Sequence, residues 1–182
     1  EQPKYFHVNN DIQNKIKVSA SSYVVGDLGT GEIILLKNES TKLPIASISK
    51  LMTALVAKEI VKEDDIAKVS KKAVATYGQN GELKTGEKIK IDDLIYPLLL
   101  ESSNDAAEVI AEHFDRAKFI SKMNEGAKSL KMLDTSFQDP SGLSENNKST
   151  ALDIFKLAGY LNQKKQELLQ ITKTPHYYSK KK

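Results

Sequence analysis

"PIASISKLMTAL", residues 44–55, sets Ser47, Ser49 and Lys50 at the start of a run that is otherwise apolar. A lysine beside Leu51, Met52, Ala54 and Leu55 costs free energy unless its amine is solvated, paired or neutral. Ser47 and Lys50 are three positions apart, so on a helix they share a face and can touch. At a helix N-terminus, unpaired N–H groups and the macrodipole favour negative charge, which suits an attacking hydroxyl and a developing oxyanion. Lys50, held against apolar neighbours, can lose its proton and act as the base for Ser47. The plainer reading is a serine N-cap with a lysine whose amine reaches solvent. A second Ser-x-x-Lys, Ser179 to Lys182, lies in the polar tail and shows how little the spacing means alone.

With 182 residues, 40% hydrophobic and 28% charged, the chain reads as an ordinary globular domain able to bury a real core. The formal net charge of +3 is almost entirely lysine, Arg116 being the single arginine. That balance does not point to nucleic acid. Without cysteine, disulfides, thiolate catalysis and cysteine-ligated metals are excluded. No run reaches the roughly 18 apolar residues needed to span a bilayer, and "EQPKYFHVNN" lacks the pattern of a signal peptide.

"SSYVVGDLGTGEIILLKN" reads as a hairpin, its β-branched runs flanking a turn with Asp27, Gly29 and Gly31. "LMTALVA" is apolar nearly all round and predicts a buried central helix that surfaces at "KEIVKEDD". "EKIKI" predicts a short strand. Two helices follow, the first capped by Asp92 or Asp93 and ending near Glu101, the second starting at Asn104 or Asp105. "AKFISKMNEGAKSLKML" carries Phe119, Met123, Ala127 and Leu130 at helical spacing. "DTSFQDPSGLSENN" is a loop by composition. Thr150 and Asp153 suggest a capping box for a helix through Leu161, and a last short helix runs from about Gln166 to Ile171. The hairpin's long apolar edges have no later partner strand, so the sheet is expected to be incomplete in this chain.

"LLLESSNDAAEVIAEH", residues 98–113, puts Ser102 and Asn104 in a polar break between two apolar helices, where a hydroxyl and a carboxamide can face a cleft. Helix capping explains the same residues. Together, "PIASISKLMTA" and "LLLESSNDAAEVIAEH" closely resemble the first two active-site motifs of the serine D-alanyl-D-alanine carboxypeptidases, the low-molecular-mass penicillin-binding proteins. The hairpin, "LKTGEKIKIDDLIYPLLLESSNDAA" and "MLDTSFQDPSGLSENNKSTALDIFKLAGYL" resemble segments of the same family.

The resemblance implies an α+β fold, a β-lactamase/transpeptidase-like domain with an antiparallel sheet and a helical cluster, its C-terminal strands missing from this chain. Residues 1–182 are then one incomplete domain: a lead-in over 1–17, the sheet hairpin over 18–37, the nucleophile helix over 47–62 and a mainly helical part over 88–172. It implies acyl transfer. Ser47 is the nucleophile, Lys50 its base, Ser102 a proton relay, and Asn104 binds the substrate amide and steadies Lys50. The Ser47 N–H supplies half of an oxyanion hole. The implied substrate is a peptidoglycan stem peptide ending in D-Ala-D-Ala, with β-lactams as covalent inhibitors. No metal or organic cofactor and no nucleic acid is implied, and action is extracytoplasmic, with any membrane association through segments absent from this chain.

The family's third motif, Lys-Thr-Gly, is expected well after the second. Here Lys84-Thr85-Gly86 precedes Ser102, in a turn, and reads as a decoy. The chain is accordingly expected to be inactive or nearly so by itself. A β-lactamase is the nearest alternative, though Glu145 is not in the setting of a deacylating glutamate. A silent domain that only binds muropeptide or a partner is the other. No G-x-S-x-G elbow or phosphate loop is present, and His7, His113 and His176 lack a catalytic setting.

Overall fold

A computed structural model describes residues 18–62, 64–78 and 81–175. The lead-in over 1–17, His7, His176 and the tail Ser-x-x-Lys lie outside those residues. At the centre is helix α1, Ser49–Ile60, in which every residue from Ser49 to Ala57 except Leu51 is buried. It is surrounded by α3 (Ile91–Leu100), α4 (Asn104–His113) and α5 (Arg116–Ser129). Met52, Leu55, Ile95, Leu98, Ile110, Phe119 and Met123 form the core between them. Each large side chain there stabilises by about 1.5–3 kcal/mol relative to exposure. Gly126 of α5 lets that helix close on Met52, whose sulfur would lie 3.2 Å from an added Cβ.

The strands form three separate two-stranded antiparallel ladders among the described residues. The expected hairpin is β1 (Tyr23–Gly26) with β2 (Ile33–Lys37), carrying a bulge after Val25. Its turn is closed by Asp27, whose carboxylate accepts from the N–H groups of Gly29 (2.7 Å) and Thr30 (2.9 Å). The expected "EKIKI" strand is β5 (Lys88–Lys90), paired with β4 (Ile66–Lys68). The sequence reading did not anticipate β4, nor β3 (Leu43–Pro44) with β6 (Lys148–Ser149). They are two or three residues long, too short for a period-two signal. The β3–β6 ladder matters most, because it brings the loop before β6 onto the start of α1.

A one-turn helix, α2 (Lys71–Val74), is capped by Ser70. The last two helices are α6 (Ala151–Lys164) and α7 (Gln166–Ile171), the latter at the predicted position. Two capping expectations need correction. The N-cap of α3 is Lys90, without a side-chain cap. Asp92 and Asp93 stand inside the first turn, where they oppose the helix dipole favourably, and Asp92 pairs with Lys58 at 2.7 Å. At α6, Thr150 Oγ1 accepts from the Asp153 N–H at 3.1 Å, but the reciprocal half of the box is absent. The buried Asp153 carboxylate accepts instead from the Asp134 N–H, the Thr135 hydroxyl and Lys156.

Lys84-Thr85-Gly86 lies in the turn between α2 and β5. Its Gly86 N–H donates to Val69 O at 2.8 Å and the Lys84 N–H to Glu87 Oε2 at 3.1 Å. The turn thus belongs to the β4–β5 ladder.

Candidate active site

Ser47 sits in a single 3-10 turn, Ala46–Ile48, that runs directly into α1. The caps of these two segments, Ile45 and Ile48, make no side-chain cap bond, so the Ser47 hydroxyl is not spent on capping. Lys50 Nζ donates to Ser47 Oγ at 3.0 Å. The lysine is 2% exposed, which removes the reading of an amine reaching solvent. Burial lowers its amine from 10.5 to about 8, against a smaller upward pull from Asp139. Near neutral pH a useful fraction of Lys50 is therefore unprotonated, as a general base needs to be. Ala46, just before Ser47, holds the left-handed conformation at φ 44°. Such strain in a residue with a Cβ persists only where its surroundings impose it.

Those surroundings are the loop from Asp139 to Asn147. Lys50 Nζ donates a second bond to Ser141 O at 2.7 Å, and the Thr53 hydroxyl donates to Pro140 O at 2.6 Å. Gly142, at φ +87°, presses so closely on Ala46 that a Cβ there would fall 1.9 Å from Ala46 O. Asn147 Nδ2 donates to Ser49 Oγ at 3.0 Å and to Asp139 O at 2.9 Å. Asp139 is itself buried, and its carboxylate gathers the N–H groups of Ser141, Gly142, Leu143 and Ser144 and the Ser141 hydroxyl. Burial pushes this carboxyl up, but the bonds from Ser144, Ser141 and Gly142 outweigh it and hold it below the usual range. The sequence reading missed Thr53, Asp139, Ser141, Gly142 and Asn147. Asp139-Pro140-Ser141-Gly142 is an Asx-turn signature, but nothing in the sequence says what the turn packs against.

Ser102 and Asn104 stand at the junction of α3 and α4. Pro97 inside α3 sets up the break: its carbonyl accepts from both Glu101 N–H and Ser103 N–H at 3.1 Å, closing the helix. Ser102 then turns the chain at φ 57°, and Ser103 caps α4 by accepting from Ala106 N–H at 3.0 Å. Ser102 is half-buried, and its hydroxyl makes no hydrogen bond among the described residues. Asn104 is 5% exposed and donates through Nδ2 to Tyr77 O at 2.9 Å. Neither residue is hydrogen-bonded to Ser47 or Lys50. Lys50 instead donates to Ser141 O, and Asn104 donates to Tyr77 O. Tyr77 O thus occupies the carboxamide N–H at the start of α4. Asp105 completes that clamp, accepting from Gly81 N–H at 2.8 Å and from the Ser103 hydroxyl.

What this arrangement can do is acyl transfer at a hydroxyl beside an amine that gives up its proton more readily than a free lysine. Comparison with known proteins points the same way. The sequence profile of the D-alanyl-D-alanine carboxypeptidases matches residues 8–182. The D-alanyl-D-alanine endopeptidase of Escherichia coli K12 is 36% identical over 145 residues, covering 78% of this chain and 47% of that protein. The D-alanyl-D-alanine carboxypeptidase DacF of Bacillus subtilis is 32% identical over 147 residues, covering 76% of this chain and 38% of that protein. The ampicillin-bound crystal structure of penicillin-binding protein D2 from Listeria monocytogenes superposes with a TM-score of 0.78 at 30% identity. It covers 88% of this chain and 68% of that one. The chain spans less than half the length of these two curated relatives.

Proposed function

Because the chain belongs to the D-alanyl-D-alanine carboxypeptidase family, we propose that it carries the nucleophile of a serine enzyme that removes the terminal D-alanine from peptidoglycan stem peptides. The observation that supports this reading is the 3.0 Å contact between Ser47 Oγ and a buried Lys50 whose amine is lowered to about 8. Neutral Lys50 takes the hydroxyl proton as Ser47 Oγ bonds to the carbonyl carbon between the two D-alanines. The tetrahedral intermediate collapses by breaking the C–N bond, and the departing nitrogen receives a proton passed from Lys50 by Ser102. Water then attacks the ester, giving the shortened peptide and free Ser47. Asn104 orients the substrate amide, and the Ser47 N–H helps hold the oxyanion, a donor of a kind worth about 3–4 kcal/mol of barrier. The substrate places the reaction outside the cytoplasmic membrane. Among the described residues no helix is long and apolar enough to cross a membrane.

A β-lactam would acylate Ser47, as the ampicillin complex of the Listeria relative suggests. The test is mass spectrometry after incubation with a fluorescent penicillin. A covalent adduct on Ser47, lost in Ser47→Ala, supports the enzyme, and no adduct argues for a binding module. Rapid turnover of the drug would indicate a β-lactamase. Against that stands the exposed side chain of Glu145 on the loop after the second motif. The Escherichia coli relative raises an endopeptidase reading. Release of D-alanine from a pentapeptide, against cleavage of a cross-linked muropeptide, separates the two.

A further inference from the structure

The Asp139–Ser144 loop carries far more internal bonding than a connection between α5 and β6 requires. One buried carboxylate accepts five hydrogen bonds, four from backbone N–H groups, at 2.6 to 3.3 Å. Its Oδ1 faces Ser141, Gly142 and Leu143, and its Oδ2 faces Ser144. The folded loop is then fixed to helix α1 at Thr53–Pro140 and Asn147–Ser49 and to the turn before it at Gly142–Ala46. What it delivers is one carbonyl, Ser141 O, 2.7 Å from the Lys50 amine.

We propose that this loop positions the general base: Asp139 folds it so that Ser141 O takes one N–H of Lys50, keeps water from the amine and leaves its lone pair aimed at Ser47 Oγ. This rests on the acyl-transfer reading above. A neutral amine has two N–H bonds and one lone pair. With one N–H turned to Ser141 O, the second N–H and the lone pair share the two remaining positions, and loss of the proton that Lys50 donates to Ser47 Oγ leaves the lone pair facing that oxygen. When Lys50 takes the Ser47 proton it becomes an ammonium, and the same bond turns charge-assisted and stronger. The loop therefore favours the transition state over the ground state. Asp139 touches neither substrate nor the reacting atoms and is a positioning residue. The charges around it are Lys50 on α1 and Arg116 at the start of α5, itself paired with Glu108 at 2.7 Å.

Asp139→Asn tests the idea, because whichever way the amide turns, its NH2 meets N–H donors. The full-length protein is followed by three measurements: the acylation rate with a fluorescent penicillin, the titration of Lys50 by NMR of 13C-labelled lysine, and thermal melting. In the variant we expect acylation to slow on the order of 10²-fold, with the Lys50 midpoint moving up from about 8 toward 10.5 as water reaches the amine. Burial is the larger influence on Lys50 and Asp139 the smaller, so loosening the loop outweighs losing the charge. A midpoint that stays put, or falls, overturns the proposal, since the loop would then be intact without its carboxylate. So does a lowered melting temperature with unchanged acylation of the folded fraction. If Asp139→Asn does not fold, Thr53→Val frees Pro140 at little change in shape, and the same upward shift is required of it. Failure of the wild-type protein to form a Ser47 adduct would instead count against the acyl-transfer reading, while the Lys50 titration still decides the loop.

Discussion

The two halves of the site begin alike and are held differently. Each starts at a residue with a Cβ in the left-handed conformation, Ala46 at φ 44° and Ser102 at φ 57°, just ahead of a helix. In the first half the reactive side chains bond to one another and to the Asp139 loop. In the second, the capping work falls to Ser103, Asn104 is tied outward to Tyr77 O, and the Ser102 hydroxyl has no hydrogen-bond partner among the described residues. The Ser47 and Lys50 side chains are thus held by one another and by the loop, whereas the Ser102 hydroxyl is not. Pre-organisation is concentrated at Ser47 and Lys50, where the proposed mechanism starts its proton transfer.

Replacing Lys50 should separate the halves most sharply. Lys50→Ala is expected to slow Ser47 acylation by about 10²- to 10⁴-fold, the range for a lost general base, as read by stopped-flow with a fluorescent penicillin. Ser102→Ala should leave the melting temperature unchanged and lower turnover. If both variants lost stability equally, the two halves would not differ in the way described.

The pH dependence of stability comes next. Lys50 binds its proton more weakly in the folded state, about 8 against 10.5, so between those values the unfolded chain holds more protons. Stability contributed by this site is lowest below pH 8 and rises as pH climbs from 8 to 10.5. Denaturant titrations of wild type and Lys50→Met should diverge by at most about 3 kcal/mol across that window. A pH-independent difference would place the amine in water.

Gly142→Ala should cost about 1–3 kcal/mol by overpacking against Ala46 O and should weaken acylation along with stability. Ser103→Ala, in the other half, removes a helix cap and should cost about 1 kcal/mol by denaturant unfolding while acylation of Ser47 is nearly kept. The smallest effect belongs outside both halves. Lys58→Ala breaks a surface ion pair with Asp92 and should change stability by less than about 1 kcal/mol.

The site was legible where it is local. Ser47 and Lys50 share a helical face through a spacing of three, and the break at Ser102 and Asn104 follows from polar residues between two apolar runs. The helices α1, α4, α5, α6 and α7 were readable from periodicity and caps, and the hairpin from its turn residues. Strands β3, β4 and β6 were not, unlike β5, since their residues are strands only because partners distant in the chain meet them. Asp139 and Asn147 were unreadable for the same reason. Each is an ordinary loop residue until the β3–β6 ladder lays the loop across the mouth of α1.

The sequence by itself determined that Ser47 and Lys50 share a face and that helix α1 must be buried, because side-chain periodicity and composition act over a few residues. Tertiary structure alone decided that Lys50 is closed off from water, that Ser141 O is its second partner, and that Tyr77 O claims Asn104. Those outcomes depend on which backbone groups, close to a hundred positions away in the case of Lys50, are left to satisfy a buried donor, and only packing selects them.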